Sequence, residues 1–328
     1  MGEVLRVLVP KGGSTNEEDQ CPNFMFSCCS KGQIRLWHLP GMEYRTSVVS
    51  ASPPSSGATL QHPNGAAVLD LSFTSTGLVA VGGDGGVTLW DVETCRVLSR
   101  CEIRGVINCC IPVFGEKEPM ILCGGDDGAL HWLDMRQKHA PKVVHRFSWP
   151  ITSLSVHGHN VAVGGVNGSI DILEVSTFHR ELLLTTAHSD VVGSVHFTAA
   201  GTNLISCGLD GRLCVWDTRP FSSADRLLQC HSFPTGVNRN LTRCSTGFVG
   251  NCVAAVVGGT NGQVNLFVGD TPTWGESNIR ATTRTVYEKC HAKSSTVNGV
   301  WLLPEASRFL FVSAGADGSI FLKNKNVL

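Results

Sequence analysis

Seven times along the chain, a short run of small or apolar residues passes through a turn into an alternating run that ends on an aromatic or large apolar residue. The copies are Phe24–Trp37, Leu78–Asp91, Met120–Asp134, Val161–Glu174, Leu204–Asp217, Val253–Phe267 and Phe309–Leu322. Each turn carries a glycine: Gly32, Gly85, Gly128, Gly168, Gly211, Gly262 and Gly318. Gly85 to Gly128 is 43 residues and Gly128 to Gly168 is 40, which sets the undecorated period. Alternation with period two is the mark of strands with one buried face. In six of the seven turns the glycine follows Asp or Asn, a pair suited to the positive φ angles of a type I′ hairpin. Runs before each hairpin (Val68–Phe73, Val192–Phe197) and after it (Arg180–Leu184) supply two further strands. Four strands per unit, seven units and no helical periodicity predict an all-β, seven-bladed propeller over residues 1–328 as one domain. Residues 39–57 and 268–284, rich in Pro, Ser, Thr and Gly, lengthen two units and are expected to be loops.

Composition narrows the class of function. The chain has 36 glycines and 16% charged residues, as many short strands joined by tight turns require. A net charge of −1 gives no electrostatic reason for nucleic acid or an acidic membrane as the main partner. No apolar run reaches 18 residues, and Glu3 and Arg6 interrupt any signal-peptide core. Of the 14 cysteines, Cys28, Cys29, Cys123, Cys207, Cys214 and Cys252 sit in apolar strand-like runs, where a free thiol acts as a small hydrophobe. No Cys-x-x-Cys pair or metal-ligand spacing occurs, so neither metal nor cofactor is expected.

The repeats resemble the WD-repeat family. Trp90-Asp91 and Trp216-Asp217 are that family's dipeptide, and Trp37 keeps the Trp alone. In the fifth unit His188, Ser206, Asp210 and Trp216 match the family's buried hydrogen-bond chain. Isolated, Ser, His and Asp would suggest a hydrolase, but the repeat already accounts for all three. The second unit has His62, Asp84 and Trp90 at the same offsets but Ala80 in place of Ser, a break tolerable for structure and not for catalysis. The resemblance implies a binding scaffold, not an enzyme. Off-pattern stretches narrow it. Trp216-Asp217-Thr218-Arg219-Pro220-Phe221, a long gap, and Asn240-Leu241-Thr242-Arg243-Cys244 are similar to WD-repeat components of the U5 small nuclear ribonucleoprotein. So are Asn108–Pro112 and Gly125–Gly128. That resemblance implies a nuclear pre-mRNA splicing component docked on the large U5 scaffold protein, touching RNA only through the particle. The alternative is a generic WD-repeat adaptor, such as a ubiquitin-ligase receptor or an assembly factor.

On the face shared by the second-to-third-strand turns and the inter-blade loops, the candidate partner-binding residues are Arg104, Asn108, Trp149, Arg239 and Arg243. Trp149 could equally plug its loop against a neighbouring blade, and Arg243 could serve a salt bridge. The acidic segment Gly12–Asn23 is expected to be a loop. Val4–Val9 reads as the inner strand of the first blade, which would leave the seventh with three strands and an open edge; a strand upstream of a mis-assigned start is the other possibility.

Overall fold

A computed structural model describes residues 2–9, 24–38, 59–114, 119–135, 140–222, 226–233, 243–249, 252–270, 283–303 and 309–324. The expected loops 39–57 and 12–23, most of 268–284, and Arg239 lie outside them. The strands form seven antiparallel sheets, each built from consecutive strands, and together they make a seven-bladed β-propeller. Among the described residues six blades have four strands and the seventh has three. Val4–Leu8 pairs with Phe24–Cys29 and is the inner strand of blade one. The other inner strands are Val68–Thr74, Ile107–Phe114, Ile151–His157, Val192–Phe197, Cys244–Val249 and Val297–Leu302.

The hairpin turns differ in type from the sequence expectation. All seven turn glycines have φ between 67° and 79°, but the preceding Asp or Asn does not share the positive φ that a type I′ turn needs. Instead, in six of the seven the glycine N–H closes on the carbonyl three residues back, as Gly85 does on Gly82 and Gly211 on Gly208, while Gly262 N donates to Ser295 O. The carboxylate then accepts the N–H two residues ahead: Gly86 N from Asp84 Oδ1 is 3.0 Å and Arg212 N from Asp210 Oδ1 is 3.1 Å. A type I turn followed by a left-handed glycine satisfies the same pattern, because the Asx side chain closes the turn without turning its own backbone over.

The core lies between blades, not within them. Each pair of neighbouring sheets encloses one apolar cluster. Val79, Val81 and Leu89 of blade two meet Ile107, Ile121 and Leu133 of blade three. Val4, Val7 and Met25 of blade one meet Val312, Ala314 and Leu322 of blade seven. The ring is therefore closed by side-chain packing of blade one on blade seven.

Inner strands expose backbone N–H and C=O groups along their channel edge, which would be costly if left unpaired. Side chains of the preceding blade meet several of them. Asp70 Oδ2 accepts Cys110 N at 3.1 Å, and Ser155 Oγ accepts Phe197 N at 3.0 Å. Ser194 Oγ accepts Cys244 N at 2.8 Å, and Ser245 Oγ accepts Leu302 N at 3.1 Å. At the closing seam Asn298 Nδ2 donates to Val4 O at 3.0 Å. Each of these polar residues is buried.

Candidate functional site

In blade five the four polar side chains form a continuous chain. Trp216 Nε1–H donates to Ser206 Oγ at 2.8 Å, and Ser206 O–H donates to His188 Nε2 at 2.7 Å. His188 Nδ1–H then donates to Asp210 Oδ1 at 3.0 Å. The donor order follows from the carboxylate, which accepts only, and so fixes the tautomer. Burial alone would raise the Asp210 carboxyl, but the His188 bond and the N–H groups of Ser189 and Arg212 hold it below its usual value. His188, Ser206 and Asp210 are all bonded inside the blade, with no open face from which to attack a substrate.

Other blades keep parts of this device. His291 Nε2 meets Ser313 Oγ at 2.8 Å, and its Nδ1 meets Ser319 Oγ at 2.8 Å and Asp317 Oδ1 at 3.3 Å. The sequence hides this chain because Lys323 stands at the Trp position, although Ser313 precedes Asp317 by the same four residues that separate Ser206 from Asp210. In blade two, where Ala80 replaces the serine, Trp90 Nε1 donates to Thr88 Oγ1 at 3.0 Å. His62 is left 3.9 Å from Asp84, with both ring nitrogens buried and without a hydrogen-bond partner. Burial pushes its pKa down, so it remains neutral.

The candidate partner-binding residues divide. Arg104 is exposed in the loop beside the turn of Gly85. Asn108 is half-buried and works inside the fold: its Nδ2 donates to Asp126 Oδ1 at 2.8 Å and to Ile151 O at 2.9 Å. Trp149 stacks on Phe147 with ring centroids 4.3 Å apart. It also roofs Gly165, where an added Cβ would lie 2.2 Å from the indole. Trp149 is thus a plug between loop and blade. Arg243 is no surface residue either. It is buried in the channel, 3.4 Å from Asp70 Oδ2, and its Nη2 donates to Asn108 O at 2.9 Å. A long cation preceding an inner strand reaches carbonyls across a channel as readily as it reaches solvent, and here burial against Asp70 wins.

The exposed feature lies on the other face, where third and fourth strands join. Phe221 is 102% exposed and holds a left-handed φ of 64°. Its turn is rigidly tied to Asp217. Arg219 Nη2 and Nε donate to that carboxylate at 2.6 and 3.0 Å, and Ser222 Oγ donates at 2.9 Å. Arg226 Nη1 donates to Arg219 O at 2.8 Å and to Asp217 O at 3.2 Å. The Arg219 bonds hold the Asp217 carboxyl down at about 2. A non-glycine residue in this backbone region persists only where its surroundings enforce it. Sequence reading picked out the Arg-Pro-Phe stretch as a resemblance but gave Phe221 no role; the available signal was an aromatic directly after a proline, just past the strand end.

Comparison with known proteins agrees with the geometry. Residues 55–91 and 180–217 match the family described as WD domain, G-beta repeat. The chain is 24% identical over 151 residues to the anaphase-promoting complex subunit cdh1 of Dictyostelium discoideum, covering 45% of this chain and 20% of that protein. It is 26% identical over 157 residues to the WD repeat-containing protein SL1-17 of Schistosoma mansoni, covering 46% of this chain and 51% of the other. The chain thus spans about half the length of one of these curated relatives and a fifth of the other. Two units of the chain thus match the WD repeat, and the seven-bladed sheet arrangement with the complete Trp–Ser–His–Asp chain of blade five is similar to that family.

Proposed function

We propose that the chain is a non-catalytic scaffold of the U5 small nuclear ribonucleoprotein, acting in the nucleus in pre-mRNA splicing and docked on the large U5 scaffold protein. The supporting observation is the Trp216–Phe221 stretch. It carries the sequence resemblance, and it is also where the fold holds a fully exposed aromatic on a clamped, strained turn. The left-handed φ recurs at Cys95 and Phe178, at the same place in the turns of blades two and four, so what sets this turn apart is its exposed aromatic, a kind of side chain enriched at protein–protein interfaces.

Tagged protein is purified from nuclear extract and probed for U5 RNA and the large scaffold protein. Their recovery from wild type, and its reduction by Phe221→Gly, are expected. Purification without either would overturn the splicing assignment and leave the generic adaptor. That second reading has its own support in the likeness to a protein whose name places it in the anaphase-promoting complex.

A further inference from the structure

The central channel contains a charge imbalance unrelated to the blade motifs. Arg6 of blade one, Asp70 of blade two and Arg243 of blade six converge there, at 8%, 3% and 6% exposure. Arg6 Nε lies 2.9 Å from Asp70 Oδ1, and Arg243 Nη1 lies 3.4 Å from Asp70 Oδ2. Asp70 is already engaged further, since its Oδ2 also accepts the N–H of Cys110. Among the described residues two guanidiniums therefore share one carboxylate, which leaves one positive charge in a site largely removed from water.

The other groups facing the cluster do not offset that charge. Burial pushes the Cys28, Cys109 and Cys110 thiols up, so they are neutral. His196 of blade five is neutral as well, pushed down to about 4 by burial and then by the charge of Arg6. The donor side of the pocket is also incomplete. Arg6 Nε, although close to Asp70, is not aligned for a hydrogen bond and is buried without an acceptor, and His196 Nε2 is buried without a partner. A buried surplus charge with unused N–H donors is costly unless something anionic meets it. Planar guanidiniums suit an oxyanion, which can accept from both prongs of the fork.

We propose that the Arg6–Asp70–Arg243 cluster in the channel is a binding site for one small oxyanion, of the phosphate or carboxylate class. The low exposure of the cluster favours a free anion over the side chain of a docked protein. This site stands independently of the splicing assignment, since it concerns the isolated chain.

The test uses purified full-length protein dialysed into Tris-chloride buffer, which holds the ionic strength constant with an anion that is not an oxyanion. Inorganic phosphate and, separately, acetate are titrated while the melting temperature is followed, with isothermal calorimetry alongside. A saturable rise in melting temperature with one-to-one stoichiometry is expected for at least one of the two. Arg6→Gln, which leaves one guanidinium on one carboxylate, should weaken that affinity at least tenfold. A soluble peptide bearing a C-terminal carboxylate should compete poorly; competition as strong as that of the free anion would assign the site to a partner's chain and overturn the small-anion reading. Wild-type protein giving neither heat nor a saturable shift would overturn the site altogether, whether or not the variant folds.

Discussion

Blades two and five hold the same Trp in two different ways, and this leads to a quantitative test. In blade five Ser206 Oγ serves both Trp216 and His188. In blade two Ala80 occupies the equivalent place and Thr88, two residues before Trp90, accepts the indole N–H. Replacing Ser206 by Ala orphans two buried groups, each worth about 1–3 kcal/mol unpaired, so the cost should be about 2–4 kcal/mol. For a cooperative chain of this length that lowers the melting temperature by about 3–6 °C. The position matching Thr88 is Cys214, also two residues before its Trp and also buried. In the double variant Ser206→Ala/Cys214→Thr the new hydroxyl should accept the Trp216 N–H and recover about half of the loss, leaving His188 orphaned as His62 is. The readout is thermal unfolding by circular dichroism, with Cys214→Thr alone as reference. A double variant no more stable than Ser206→Ala would show that the two blades are not interchangeable and that the hydrogen bond is not what fixes the Trp.

Trp149→Ala should cost about 2–3 kcal/mol by removing an indole stacked on Phe147 and covering Gly165, measured by urea unfolding; an unchanged midpoint would return Trp149 to the surface. Asp70→Asn keeps the side chain's shape but leaves two buried guanidiniums without a carboxylate, and should cost about 3–5 kcal/mol, also by urea unfolding. Phe221→Gly should raise stability by about 1 kcal/mol, because glycine adopts φ of 64° freely, while lowering partner recovery. His196 is held neutral when folded, with its pKa near 4 against 6.5 as its ordinary value. Its contribution is therefore present above pH 6.5 and is lost as pH falls towards 4, when the unfolded chain takes up the proton first. The loss amounts to about 3 kcal/mol by linkage, and a melting curve taken across that window should flatten in His196→Phe.

The blades were legible because their signal is local. A turn glycine, in six of seven cases an Asx before it, and alternation around it are all read within a single hairpin. The chain from His188 to Trp216 was legible for the same reason, since its members sit at fixed offsets inside one blade. What escaped the sequence was contact between blades. Arg243 meets Asp70 and Asn108 from the far side of the ring, and no periodicity links positions so far apart. Trp149, in a loop between Ser148 and Pro150, read equally as a partner anchor or a plug, and only the bare backbone of Gly165 on the neighbouring strand decides for the plug. The turn type was misjudged for a different reason: Asp-Gly satisfies two backbone solutions, and the Asx hydrogen bond selects the one in which only glycine turns left-handed.

The latches along the channel also bear on the order in which the ring is made. The contacts from Asp70, Ser155, Ser194 and Ser245 join residues 40 to 57 apart in sequence. The bond from Asn298 to Val4 joins residues 294 apart. Closing the longer loop costs about 1.5 kcal/mol more in chain entropy. Neighbouring blades can therefore zip together in sequence while the seam between blades one and seven waits for the others. The same seam, held among the described residues by the Asn298 amide and a packed apolar cluster, is the natural first place for the closed ring to open into an arc. Amide exchange should find its weakest sheet protection there, on the inner edges around Val4 and Asn298.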